Sequence, residues 1–222
     1  MVLPVSKNLS AAALSDIELP RIPTGIQPLD QILTGGVPRG RITEICGSVS
    51  SGKTSLLFAI LAQVTSNEEL AAYVDTFNAF DPGFASRNRI QLENLLWVRC
   101  GGPQCRTKAL QAVDLLSRSQ GFSVVVLHLD PVPAQKLGSI STSCWYRLRR
   151  IIERTQVSLI VLSPKNTTGS AASISLTCQR CSSHWDSIRA EGLRKSNFTG
   201  IDSAAQLLRG RNHGRITVHC HF

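Results

Sequence analysis

The sequence predicts an α/β fold in which helices flank a mostly parallel central sheet, with an antiparallel edge at the C-terminal end. Three observations carry that prediction. Short continuous apolar runs alternate with segments of helical period, the order that parallel strands and crossover helices produce. A glycine-rich loop stands between the first such run and the helix after it. The chain of 222 residues is 42% hydrophobic, enough to bury the core of one ordinary domain and too apolar to stay unfolded.

Residues 1–20 read as an N-terminal segment with a short helix over Leu9–Ile17, closed by Pro20. From Arg21 to Gly40 the chain is punctuated by Pro23, Gly25, Pro28, Gly35, Gly36 and Pro38, the marks of a loop-rich stretch. Arg41–Cys46 is a short apolar strand, and the run SLLFAILAQV after the glycine-rich loop is a helix. Ala71–Asp75 and Leu95–Arg99 are strands, and the spacing of Leu110, Val113, Leu115 and Leu116 makes Lys108–Arg118 a helix. Val124–Leu129 and Ser158–Leu162 are continuous apolar runs, as strands covered on both faces require. Tyr146–Arg154 between them is a basic amphipathic helix. Residues 21–222 form one core, with 175–222 poor in signals until the alternation of Arg215–His221 indicates an edge or hairpin strand.

Charge is unevenly divided. The net charge is +9, but residues 1–98 hold 7 basic and 9 acidic side chains, whereas residues 99–222 hold 17 and 6. A basic half beside a near-neutral half points to a polyanionic partner, nucleic acid before an anionic membrane, or to a solvated basic surface. The longest apolar stretch, Leu56–Ala62, is about a third of a membrane-spanning helix, and no secretory signal opens the chain. Seven scattered cysteines favour reduced thiols and a cytoplasmic location over a disulfide framework.

Gly47, Ser48, Val49, Ser50, Ser51, Gly52, Lys53 and Thr54 fit the phosphate-loop pattern G-x-x-x-x-G-K-[ST] at every position. Glycines let successive N–H groups converge on phosphate oxygens, Lys53 adds a point charge, and the Thr54 hydroxyl suits Mg²⁺. The helix that follows turns its positive end to the same anion. The chemistry is nucleoside triphosphate binding; the bland alternative is a loop that keeps the fold and no longer binds.

The stretch TGIQPLDQILTGGVPRGRITEICGSVSSGKTSLL, residues 24–57, resembles the opening of the ATPase core of bacterial RecA recombinases. The likeness continues through YVDTFNAFDPGFA (73–85), ENLLWVR, VVVLHLD and SLIVLSPKNTTGSAA (158–172), and covers about residues 21–175. It implies a RecA-like core that binds ATP and Mg²⁺ and acts in DNA repair and recombination, with the SOS response as its setting. By the same resemblance Asp81 lies near the adenine and Phe84 stacks on the base. The glutamate that activates the attacking water in that family corresponds to Phe77, which cannot accept a proton. The Mg²⁺-linked aspartate corresponds to His128, with Asp130 two residues on as its substitute. The γ-phosphate-sensing Asn-Gln pair corresponds to Ser163 and Pro164. The resemblance therefore implies binding with weak or absent hydrolysis, unless Glu44 or Glu93 replaces the missing base.

Two loops of that family hold single-stranded DNA, and they correspond to Pro131–Ser143, which offers Lys136, and to Lys165–Ser173. The second supplies Lys165, Asn166, Thr167, Thr168 and Gly169, small polar residues suited to phosphate contacts. Neither loop contains an aromatic side chain for base stacking. Further cations stand at Arg147, Arg149, Arg150, Arg180, Arg189, Arg194, Lys195, Arg209, Arg211 and Arg215. The stretch Arg147–Arg154 reads equally as a solvated helix face or a subunit contact. A partner of RecA or translesion-polymerase type fits, as for ImuA-type accessory proteins. The alternatives are an active DNA-dependent ATPase and a RecA-fold regulator that binds protein without DNA. Cys178 and Cys181, with His184 nearby, have metal-like spacing without a clear second pair of ligands. His128 reads as a packed strand-end residue.

Overall fold

A computed structural model describes residues 19–102, 104–129, 140–190, 193–210 and 214–221, with backbone path alone for 185–190, 193–199, 201 and 218–221. The expected helix Leu9–Ile17, Asp130 and Lys136 lie outside the described residues.

The chain opens with β1 (Arg21–Ile22), α1 (Gln27–Ile32) and β2 (Val37–Pro38); β1 and β2 pair as a small antiparallel ribbon. The main elements follow as β3 (Ile42–Gly47), α2 (Lys53–Ser66), β4 (Leu70–Asp75), α3 (Pro82–Arg87), β5 (Leu95–Arg99), α4 (Cys105–Arg118) and β6 (Phe122–His128). Then come α5 (Thr142–Thr155), β7 (Ser158–Ser163), β8 (Ile174–Ala190), β9 (Leu193–Arg209) and β10 (Arg215–His221). Eight strands form one sheet in the order β10-β9-β8-β3-β7-β6-β4-β5. Six of them, from β8 to β5, run parallel, and β9 and β10 complete the sheet antiparallel. The α/β class and the antiparallel C-terminal edge both match the sequence.

Alternation along the central strands divides the core in two. Ile45, Tyr73, Val126 and Leu162 face α1, α2 and α3. Ile42, Val74, Leu127 and Val161 face α4 and α5. Strands covered on both sides must be apolar throughout, which is why β6 and β7 read as unbroken runs rather than alternating ones. Helix α5 lies with Trp145, Leu148 and Ile152 fully buried, and that seating turns its arginines outward.

The C-terminal region departs most from the sequence reading. Residues with few signals form the long hairpin β8–β9, whose strands are separated by Glu191 and Gly192 alone. Strand β8 pairs with β3 only over Ile174–Cys178, and the hairpin continues beyond that register. Irregularities at Ser175/Leu176, Arg180/Ser182 and His184/Trp185 interrupt the side-chain alternation that pattern reading depends on.

Truncation of the fully buried Leu148 to alanine is expected to cost about 2–5 kcal/mol. An earlier urea midpoint with unchanged slope measures it.

Candidate nucleotide site and the adjoining loop

Strand β3 delivers Gly47 to the C-terminal end of the sheet, where the phosphate loop turns into α2. A Cβ on Gly47 would lie 2.5 Å from both the Cys178 carbonyl and Ser51 Oγ, so only glycine lets the loop fold against β8. Gly52 has φ +83° where α2 begins, a left-handed conformation that side chains disfavour. The Ser51 N–H donates to the Ser48 carbonyl at 3.3 Å. Lys53 is buried, and its Nζ donates to the carbonyls of Gly47 at 2.6 Å and Ser48 at 3.1 Å. The ammonium is thus folded over the loop it serves. Ser51 Oγ is buried and, among the described residues, has no hydrogen-bond partner. That orphaned hydroxyl, the first-turn N–H groups of α2 and the lysine make a cradle for an anion. Thr54 is half-buried in that first turn.

Residues after β4 edge the same end of the sheet. Asp75 is fully buried, and its carboxylate accepts from the N–H groups of Phe77 at 3.1 Å and Phe80 at 2.9 Å and from Trp97 Nε1 at 3.3 Å. Burial alone would raise its pKa, but the N–H donors of Phe80, Phe77 and Ala79, with His128 nearby, hold it below the usual value. His128 is buried with Nδ1 2.9 Å from the Tyr73 hydroxyl, the packed strand-end position its sequence context suggests. Phe77 is half-buried directly after this knot. Asp81 caps α3 by accepting from the Phe84 N–H at 3.0 Å. The Phe84 ring lies 5.7 Å from that of Phe58, and the Arg87 guanidinium stands 5.7 Å from its centroid.

The two carboxylates offered as substitute bases have other positions. Glu93 precedes β5, at the opposite end of the parallel strands from the phosphate loop. Glu44 shares its side of β3 with Ile42, the face turned to α4 and α5, away from α2. It is fully buried, and its carboxylate is claimed by the loop after β7. Oε1 accepts from the Thr167 N–H at 2.6 Å and Thr167 Oγ1 at 2.8 Å, and Oε2 from Thr168 Oγ1 at 2.6 Å. The Thr168 N–H lies 3.3 Å from Oε1, and Ser163 Oγ lies 3.2 Å from it. Glu44 is a structural anchor rather than a base.

This anchoring bears on the DNA-facing set expected from the sequence. The hydroxyls and N–H groups of Thr167 and Thr168 are turned inward to Glu44 and are not offered to phosphate. The Gly169 N–H donates to Asn166 Oδ1 at 3.3 Å. Lys165, Asn166 and Gly169 are exposed. The structure also supplies the aromatic side chain that the loop sequence lacks: the Tyr146 hydroxyl of α5 lies 2.7 Å from Ser170 Oγ. The anchoring role of Glu44 and the place of Tyr146 beside the loop were not readable, because their partners lie 123 and 24 positions away. Cys178 is buried and Cys181 exposed, while His184 Nε2 lies 2.8 Å from Asp202 Oδ2. Burial pushes the Cys46 thiol up and keeps it protonated.

Comparison with known proteins gives one consistent answer. A family profile described as the RecA N-terminal domain matches residues 8–137. The chain is 44% identical to Protein RecA of Methylococcus capsulatus over 117 residues, 52% of this chain and 32% of that protein. It is 45% identical to Protein RecA of Thermus thermophilus over 107 residues, 48% of this chain and 31% of that protein. Protein RecA of Prochlorococcus marinus is 40% identical over 113 residues, 51% of this chain and 30% of that protein. The matched region spans about a third of the length of these curated relatives.

Replacement Glu44→Gln turns an amide NH₂ toward donors that need an acceptor, and is expected to cost about 1–3 kcal/mol in urea denaturation. Asp75 contributes stability that is present above its unfolded pKa of about 3.9 and lost as pH falls through its lower folded value. The stability difference between the wild type and Asp75→Asn should therefore be full at neutral pH and shrink below about pH 4, read from urea midpoints across that range.

Proposed function

The chain belongs to the RecA family, and on that premise we propose that it is an ATP-binding protein of DNA repair and recombination that binds single-stranded DNA and hydrolyses ATP slowly or not at all. The observation that carries this reading is an intact phosphate loop beside carboxylates already committed elsewhere. Among the described residues on or following β3 and β4, Asp75 holds backbone N–H groups, Asp81 caps α3, and Glu44 anchors the loop after β7. The position that carries the family's water-activating glutamate is Phe77. Loss of a well-placed general base costs about 10²–10⁴ in rate.

The residues of the loop fit a nucleoside triphosphate. The backbone of Gly47–Gly52 and the first turn of α2 would surround the phosphates, and Lys53 would exchange its carbonyl partners for phosphate oxygens. The buried Ser51 hydroxyl would gain a partner, and Thr54 would meet Mg²⁺. Mg²⁺ supplies charge neutralisation between the terminal phosphates. Asp130 remains the candidate second contact to the metal through water. Asp81 and Phe84 border the base, with Phe84 supported by Phe58. Lys165 and Asn166 would meet DNA phosphates, joined by Lys136 from the preceding loop. Such contacts carry no base readout. A binding site with little turnover suits an accessory role beside a RecA-type or translesion-polymerase protein, in the cytoplasm that the scattered cysteines favour.

A fluorescent ATP analogue with Mg²⁺ should bind saturably, and Lys53→Ala should weaken it at least about tenfold, since one charge-assisted contact is worth roughly that much. Phosphate release should stay below about 0.1 s⁻¹ with or without single-stranded DNA, some way under ordinary enzyme turnover. Faster release that depends on Lys53 would make the protein a working ATPase.

A further inference from the structure

Helices α4 and α5 border a groove of about 630 Å³ on the outer face of the sheet, remote in sequence from the phosphate loop. Its lining includes Arg118 from α4 and Tyr146, Arg147, Arg150 and Arg154 from α5. Burial of Trp145, Leu148, Ile151 and Ile152 fixes the rotation of α5, so Tyr146, Arg147, Arg150 and Arg154 face outward. Asp114 engages Arg118 at 2.8 Å and Arg147 at 3.7 Å. Among the described residues, Arg150 and Arg154 have no carboxylate partner, and both are exposed. From Arg147 to Arg154 the helix rises about 10 Å, the axial length of about three phosphates of a strand.

We propose that this groove is a track for the phosphate backbone of single-stranded nucleic acid, continuous with the Lys165 loop through Tyr146. The inference rests on the DNA-binding reading above and extends it to residues the loop does not contain. Guanidinium groups present fixed forks of donors suited to phosphate oxygens. The Tyr146 ring, exposed beside them and held by Ser170, offers the face on which a base can stack. A protein segment would need an apolar anchor point, and the aliphatic lining is Ile151 alone, which is itself buried.

The test is fluorescence anisotropy of a labelled oligo-dT with the full chain across a salt series. The double substitution Arg150→Ala/Arg154→Ala should weaken binding about tenfold at low salt and flatten the log-affinity against log-salt slope by about 1.4, two phosphates at 0.7 each. Arg150→Lys/Arg154→Lys should keep the slope. Tyr146→Ala should weaken binding at every salt concentration without changing the slope, because stacking is not electrostatic. Thermal midpoints of the arginine variants should stay within about 2 °C of wild type, since the altered side chains are exposed. Unchanged affinity and slope in the alanine pair, while Lys165→Ala weakens binding, would overturn the groove and leave the loop reading standing. Failure of the unaltered protein to bind oligo-dT at low salt would overturn both. Tighter binding of a labelled Asp/Glu-rich peptide than of oligo-dT, lost in the same alanine pair, would assign the groove to a protein ligand instead.

Discussion

A single buried carboxylate organises the functional end of this protein. Glu44 stands on the central strand three residues before the phosphate loop begins, and a polar group removed from water must be paired there or cost several kcal/mol. Its partners are hydroxyls and backbone N–H groups from Ser163, Thr167 and Thr168. Two consecutive residues each give both a hydroxyl and an N–H, so the loop after β7 has little freedom to leave. The strand that positions the phosphate loop and the loop after β7 are therefore fastened to one another by hydrogen bonds. Short 3₁₀ structure at Gly169–Ala171 then carries the chain past α5, where Ser170 meets Tyr146.

The two faces of the sheet divide the work. On the α2 side lie Lys53, Asp75, Tyr73 and His128, a cluster in which the carboxylate is saturated by N–H donors and the imidazole is held by a phenol. Binding a phosphate at this place draws on backbone dipoles and one lysine, and needs no excess positive charge in the surrounding chain. On the α4 and α5 side lie Glu44, the Lys165 loop and the arginine groove.

How far the chain could be read without coordinates depended on the range of the interactions concerned. Strands β3 to β7 and helices α2, α4 and α5 followed from periodicity and apolar runs, because both faces of the sheet are covered and the pattern is strong. The phosphate loop followed from eight consecutive residues. The hairpin β8–β9 did not, since bulges at Arg180/Ser182 and His184/Trp185 break its alternation and part of it extends beyond β3, where no apolar face is demanded. The bonds of Thr167 and Thr168 to Glu44 were not legible, because nothing local to them reveals a partner more than 120 positions away.

The sequence by itself determined the family, the α/β class, the anion cradle at Gly47–Thr54 and the absence of a carboxylate at position 77, all properties of short segments. The tertiary structure alone decided that Glu44 is an anchor and not a base, that Asp75 is consumed by Phe77, Phe80 and Trp97, and that Arg118 joins the arginines of α5 beside Tyr146. Apart from the Asp75 bonds to Phe77 and Phe80, these are contacts between residues distant in the chain. The place of Glu44 depends on strand order and on which face of its strand the side chain occupies, which a one-residue change of register would reverse, and that of Arg118 on the seating of α4 beside α5.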